Sequence, residues 1–210
     1  MVNSVQTIIS KWRYFLAEPK NQILDLDKII GLIGELYFLK QIIPIYNEKS
    51  IRLWTADRGE EDFIQDQKIV EVKASLKEKH EHIINGIDQL RTQPNKLKSI
   101  CSILLIESDK PDTINLPKLV DEISLLLQPF PQQFDLFFRK LKSQGFDTRD
   151  ADEYLPYCYQ LYRSAVFEVN ESFPKMTTDE LKDPLNSRIS KVRYLVDMEG
   201  LRSISLEDIE

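Results

Sequence analysis

Residues 99–107, Ser-Ile-Cys-Ser-Ile-Leu-Leu-Ile-Glu, constrain the fold more than any other segment. The run is almost continuously apolar yet only strand-length, the pattern of a buried central strand. A sheet must pass through it, and other elements must cover that sheet. Residues 25–43 supply one cover: Ile29, Ile30, Leu32, Ile33, Leu36, Leu39 and Ile43 repeat at helical spacing, with Asp27 a candidate N-cap and Pro44 a stop. Residues 1–20 predict a shorter helix around Ile8, Ile9, Trp12, Phe15 and Leu16. Extended segments are predicted at 51–54, 62–64 and 69–74, with a turn at Asp66-Gln67 and a further extended pair at Ile83-Ile84. Asn85 then caps a helix predicted to run to about Gln93, and Pro94 closes it.

That order, helix, three strands, helix, strand, predicts an α/β layer with helices covering a small sheet. Beyond residue 110 the pattern predicts helices at 119–127 and 130–144, a segment at 154–169 that ends as a strand, and a strand at 189–197. The expected organisation is a core over residues 1–110 and a helical and β extension over 111–210 packed on it.

Composition bounds the function without choosing it. With 210 residues, 42% hydrophobic and 30% charged, the chain can bury a globular core. No 18-residue apolar stretch free of charge occurs, and residues 1–20 hold no signal-peptide core, so a cytoplasmic protein with no membrane contact is expected. Cys101 and Cys158 are read as buried thiols in a reducing compartment. His80 and His82, set among Lys77, Glu78, Lys79 and Glu81, are read as a solvated loop. The net charge is −6, but residues 68–98 hold seven Lys/Arg against four Asp/Glu, a local +3 on an otherwise acidic chain.

The chemistry concentrates in residues 61–75, Glu-Asp-Phe-Ile-Gln-Asp-Gln-Lys-Ile-Val-Glu-Val-Lys-Ala-Ser. Strand alternation puts Glu71 and Lys73 on one face with Ile69, and Val70, Val72 and Ala74 on the other. A tight turn at Asp66-Gln67 sets Asp62 opposite Glu71, with Cβ atoms about 5 Å apart. Two carboxylates that close raise each other's pKa. A hard divalent cation relieves the conflict, because carboxylate oxygens are ligands Mg²⁺ prefers. Lys73 would then orient water or neutralise a phosphoryl oxygen. The bland alternative is a solvated hairpin with a Glu–Lys face.

Three features bear on that choice. Gly31, Gly34, Glu35 and Phe38 share one helix face; two helical glycines, each costing about 1 kcal/mol against alanine, suggest close approach to another element. Glu35 has Gly31 and Leu39 at i−4 and i+4, so no salt-bridge partner on its own helix. Trp54 precedes a charged turn, residues 57–61, that leads to Asp62 and equally suits an ordinary loop. Gln89 follows the hairpin and, read alone, is a surface residue.

Taken in order, Gly31-Leu-Ile-Gly-Glu35-Leu, Trp54, Asp62-Phe63, Glu71-Val72-Lys73-Ala-Ser75 and Asp88-Gln89-Leu90 resemble the bacterial PD-(D/E)XK family of restriction-endonuclease-like nucleases. Phe173-Pro174 and Val192-Arg193-Tyr194 extend the resemblance. It implies a restriction-endonuclease-like core of helix, three-stranded meander, helix and strand, with an appended C-terminal helical and β region. It implies metal binding by Asp62 and Glu71, with Glu35 a further acidic member and the Val72 carbonyl a further ligand, a catalytic role for Lys73 and a supporting amide at Gln89. The implied cofactor is Mg²⁺, with Mn²⁺ able to substitute, and the implied activity is DNA cleavage within a restriction or phage-defence system. Lys77, Lys79, Arg91, Lys96 and Lys98 are candidate phosphate contacts, which fix position without reading sequence. Expected partners are DNA, other defence-system proteins and a second copy of the chain. Glu61 departs from the motif, standing where its name has proline.

Overall fold

The computed structural model describes residues 23–56, 61–110, 112–178, 189 and 191–206. The helix expected within residues 1–20 lies outside them. Helix α1 spans Leu26–Tyr46, a 3₁₀ turn covers Asn47–Lys49, and the one-turn helix α2 spans Ser50–Leu53. Strands β1 (Phe63–Gln65), β2 (Lys68–Ser75), β3 (Glu81–Ile84) and β4 (Leu97–Glu107) follow. After them come α3 (Leu116–Leu126), α4 (Pro131–Ser143), a 3₁₀ segment at Thr148–Tyr154, β5 (Tyr159–Glu168), β6 (Tyr194–Asp197) and β7 (Ser203–Ile204).

The main sheet is mixed, in the order β1-β2-β4-β5-β7. The anticipated central strand, β4, lies at its middle, parallel to β2 and antiparallel to β5. Side chains leave β4 alternately. Cys101, Ile103 and Leu105 join the cluster under α1, α3 and α4, while Ile100 joins a second cluster with Ala165, Phe167, Val196 and Met198. A two-stranded β3–β6 ribbon contributes to that second face. This is a mixed α/β fold, compatible with a PD-(D/E)XK-like fold.

Helix α1 is apolar on nearly all sides, and its Ile29, Ile33, Leu36 and Leu39 are fully buried. Each such side chain contributes about 2 kcal/mol on leaving water. The stretch Leu26–Leu53 is long and apolar enough to cross a bilayer by length and composition, yet α1 packs against β2 and α3. Its N-cap is Asp25, whose carboxylate accepts from the Lys28 amide at 2.9 Å; Asp27 sits in the first turn, where an acidic group suits the helix dipole. Pro44 lies inside the helix, which runs on to Tyr46.

Three expected elements take other forms. Residues 51–54 are no strand: Ser50–Leu53 is helical, and only Trp54 pairs, as an isolated bridge to Phe63. The three-stranded meander is therefore a two-stranded hairpin plus that bridge. The helix expected from Asn85 to Gln93 is a run of turns, with Asn85 N–H donating to Gln89 Oε1 at 2.8 Å. Residues 81–84 do form a strand, but it pairs with β6 outside the main sheet.

Of the two glycines on α1, one makes the close approach. A Cβ on Gly34 would stand 2.6 Å from Ala74 Cβ, so α1 lies on β2 at this point; a Cβ on Gly31 would meet nothing within 4 Å. Gly34→Ala is expected to destabilise by about 1–3 kcal/mol through overpacking, and Gly31→Ala to stabilise by about 1 kcal/mol through helix propensity. Urea titration of the two variants checks the opposite signs.

Candidate active site

The β1–β2 hairpin turns at Asp66, whose φ of 49° is a left-handed conformation that Asp tolerates. Its register pairs Phe63 with Val70 and Ile64 with Ile69. One step beyond the last ladder pair, Asp62 reaches β2 through its side chain, Oδ2 accepting from the Val72 amide at 2.7 Å. A strand residue directs its N–H and C=O to the same edge, so the Val72 carbonyl also turns toward the Asp62 side. Thr55 N–H donates to the Asp62 carbonyl at 2.8 Å, and the Thr55 hydroxyl to the Glu61 carbonyl, fixing the approach to Asp62.

Glu71 is buried, 3% exposed, on the face shared with Ile69 and Lys73. One oxygen, Oε1, is held twice: Lys73 Nζ at 2.6 Å and Gln89 Nε2 at 2.7 Å. The other, Oε2, is buried with no hydrogen-bond partner. An unpartnered buried carboxylate oxygen costs stability, so it marks a place where a ligand would be welcome.

Glu35 reaches the same place from α1. Its Oε2 accepts from the Trp54 indole at 2.7 Å. Burial raises its pKa foremost; the indole bond and Lys73 lower it, and the charge on Glu71 raises it. Burial, then Glu71, then Glu35, push Asp62 up to about 8, against the bond from Val72 and the charge of Lys73. Glu35 and Asp62 are thus both held toward their protonated forms beside the Glu71–Lys73 pair. The sequence marks Trp54 on the approach to Asp62 but not as the partner of Glu35; the lack of a helical partner for Glu35 did not name the donor 19 residues on. The C-terminal half helps to fix that indole: Lys140 of α4 donates to the Trp54 carbonyl.

The donor set fits a hard divalent cation. Among the described residues no three His, Cys, Asp or Glu side chains stand together at metal-ligand spacing. Mg²⁺ asks for less, one or two carboxylates with water filling the other positions. Asp62, the free oxygen of Glu71 and the Val72 carbonyl could supply it, with Glu35 acting through water.

The candidate phosphate contacts divide. Lys79 and Arg91 are exposed and Lys96 half-exposed on segments flanking the hairpin. Lys77 is exposed and pairs with Glu81 at 2.6 Å. Lys98 is 4% exposed, its ammonium 2.9 Å from Glu61 Oε1, so in this fold it does not reach solvent. The histidines are not solvated either. His80 Nδ1 and His82 Nε2 lie 2.7 and 2.6 Å from the Ser102 hydroxyl, all three residues buried. Burial foremost, then Lys73, lower the His82 pKa to about 3; burial and Arg163 lower that of His80. Cys101 is buried and Cys158 half-exposed, both as free thiols.

A family model described as "Putative PD-(D/E)XK family member, (DUF4420)" matches residues 1–199. The chain belongs to this family. Comparisons with curated proteins and with solved structures give no match. PD-(D/E)XK nucleases generally use divalent metals. In this chain the hairpin brings Asp62 beside Glu71 and Lys73.

Proposed function

We propose that this protein is a divalent-metal-dependent DNA endonuclease, with Mg²⁺ as the ion and a restriction or phage-defence system as its setting. The observation that carries the reading is the split environment of Glu71. One oxygen is fixed by Lys73 and Gln89 while the other is buried and unpartnered beside a second acid, Asp62, whose ionisation is opposed. A structural ion pair has no need of that second acid or of the empty oxygen.

Asp62 and Glu71 would hold the cation, with the Val72 carbonyl as a further ligand. A divalent cation supplies Lewis-acid chemistry there, acidifying water and taking up charge on a phosphate. Gln89 keeps the Glu71 carboxylate turned so that Oε2 stays available. Lys73 presents its ammonium to the attacking water or to a phosphoryl oxygen. Glu35, held by Trp54, accepts or shares a proton beside them. Lys79, Arg91 and Lys96 meet the backbone of the DNA.

The test is conversion of supercoiled plasmid in Mg²⁺ or Mn²⁺. Nicked or linear product is expected with either ion, and none in EDTA. No product with either ion across plasmid and phage DNA counts against the reading.

A second reading, a nuclease-fold module that binds DNA or a partner without cutting, draws on the paired or buried state of Lys77 and Lys98, which trims the basic surface. Calorimetry separates the two: a scaffold gives no Mg²⁺ or Mn²⁺ heat that disappears in Asp62→Ala.

A further inference from the structure

Lys98 is a lysine where the strand would be content with a hydrocarbon. It pairs in register with Ile69 and its neighbour two along, Ile100, is fully buried. A buried ammonium is costly even when paired, and replacing a buried ion pair by apolar side chains is often neutral or stabilising. Its partner is itself badly satisfied: Glu61 Oε2 is buried with no hydrogen-bond partner. Stability therefore gives a poor account of this pair, and its connections give a better one.

The ammonium holds two places at once. It lies 2.9 Å from Glu61 Oε1, and Glu61 is the residue immediately before Asp62. It also donates to the backbone carbonyl of Gln89, the residue whose side-chain amide holds Glu71 Oε1 at 2.7 Å. One cation thus touches the chain next to each of the two acids. We infer that Lys98 is a positioning residue: its buried ammonium straps the turn before Asp62 to the turn that carries Gln89, and so sets where the two carboxylates meet.

This rests on the reading of Asp62 and Glu71 as a metal site. Proline before the aspartate would restrict that turn covalently, by fixing φ. In this chain Glu61 occupies the position, and the restraint is an ion pair reaching across 37 residues. Residues 86–90 form turns and no helix. Asn85 N–H holds the Gln89 side chain within that turn, and Lys98 ties the turn's backbone to the central strand.

The test uses Glu61→Gln/Lys98→Met, which removes the strap and leaves no orphan charge, and Glu61→Ala, which releases only the Asp62 arm. Two readouts are taken on the full chain: Mn²⁺ affinity by calorimetry, and the Gln89 side-chain amide by NMR without metal. In the wild type that amide is expected to be shifted from the free-glutamine position and slow to exchange. The double variant should move it to the solvent-exposed position and weaken Mn²⁺ binding at least tenfold while melting cooperatively. Glu61→Ala should weaken Mn²⁺ binding and leave the amide in place, and it carries the test alone if the double variant does not fold. A folded double variant with an unmoved amide and wild-type affinity overturns the proposal, as does Glu61→Ala with wild-type affinity. If the wild type itself takes up no Mn²⁺, the metal reading fails, and the amide signal of the double variant still decides the strap.

Discussion

Lys73→Ala is expected to slow plasmid cleavage by about a hundredfold or more while leaving Mn²⁺ binding as tight as in the wild type or tighter. The two effects part because Lys73 does two things. Its ammonium sits 2.6 Å from Glu71 Oε1 and so competes with any cation for that carboxylate. Removing it leaves that oxygen to Gln89 alone and takes a positive charge away from a cation site. The same ammonium is also the only side-chain cation of the hairpin set beside Asp62 and Glu71 where a phosphoryl oxygen or an attacking water would stand, and losing one preorganised electrostatic group of this kind costs on the order of 10²–10³ in rate. Gel-based cleavage rates and calorimetry on the same preparations give both numbers. Equal cutting by the variant and the wild type would remove Lys73 from the mechanism; a parallel loss of cutting and metal binding would make it a structural partner of Glu71.

Much of this hairpin is legible in the sequence because the information is local. Strand alternation fixes Glu71 and Lys73 on one face, and a two-residue turn fixes Asp62 across from Glu71. The helix carrying Glu35 reads from its apolar spacing, and β4 from its length. The partners that hold these groups do not read, because they come from far along the chain. Trp54 was expected to end a strand; Ile-Arg-Leu-Trp has the composition of one, and a single helical turn such as Ser50–Leu53 is too short to show a 3.6-residue period. Gln89 was expected on a helix that the structure replaces by turns, yet its amide still finds Glu71. Lys98 looked like surface because a lysine at a strand end usually is; the distant Glu61 and the Gln89 carbonyl account for its burial. His80 and His82 misled for the same reason: their flanking charges point to solvent, while Ser102 on β4 accounts for both imidazoles.

Without metal, the protein is expected to lose up to about 2 kcal/mol of stability between pH 6.5 and 8, and with saturating Mg²⁺ to lose almost none. Asp62 is pushed from near 3.8 to about 8, so between those values the folded protein keeps a proton that the unfolded chain has released. Stability from this group is complete at low pH and falls as pH rises toward 8. His82 works in the opposite sense. Its pKa falls from 6.5 to about 3, so the unfolded chain binds a proton that the folded one refuses, and its stabilisation is present above pH 6.5 and lost on acidification. In the window they share the two slopes oppose each other; the lowered pKa of His80 adds to the acid-side loss. Above pH 6.5 Asp62 contributes up to about 1.4 kcal/mol per pH unit, and Glu35, whose pKa burial also raises, acts in the same direction. A bound cation keeps Asp62 ionised at every pH in that range, which removes the slope and makes metal uptake below pH 8 release a proton. Urea unfolding at pH 6.5 and 8, in EDTA and in Mg²⁺, reads the difference directly. A slope that is the same with and without the ion would mean that Asp62 does not meet the metal.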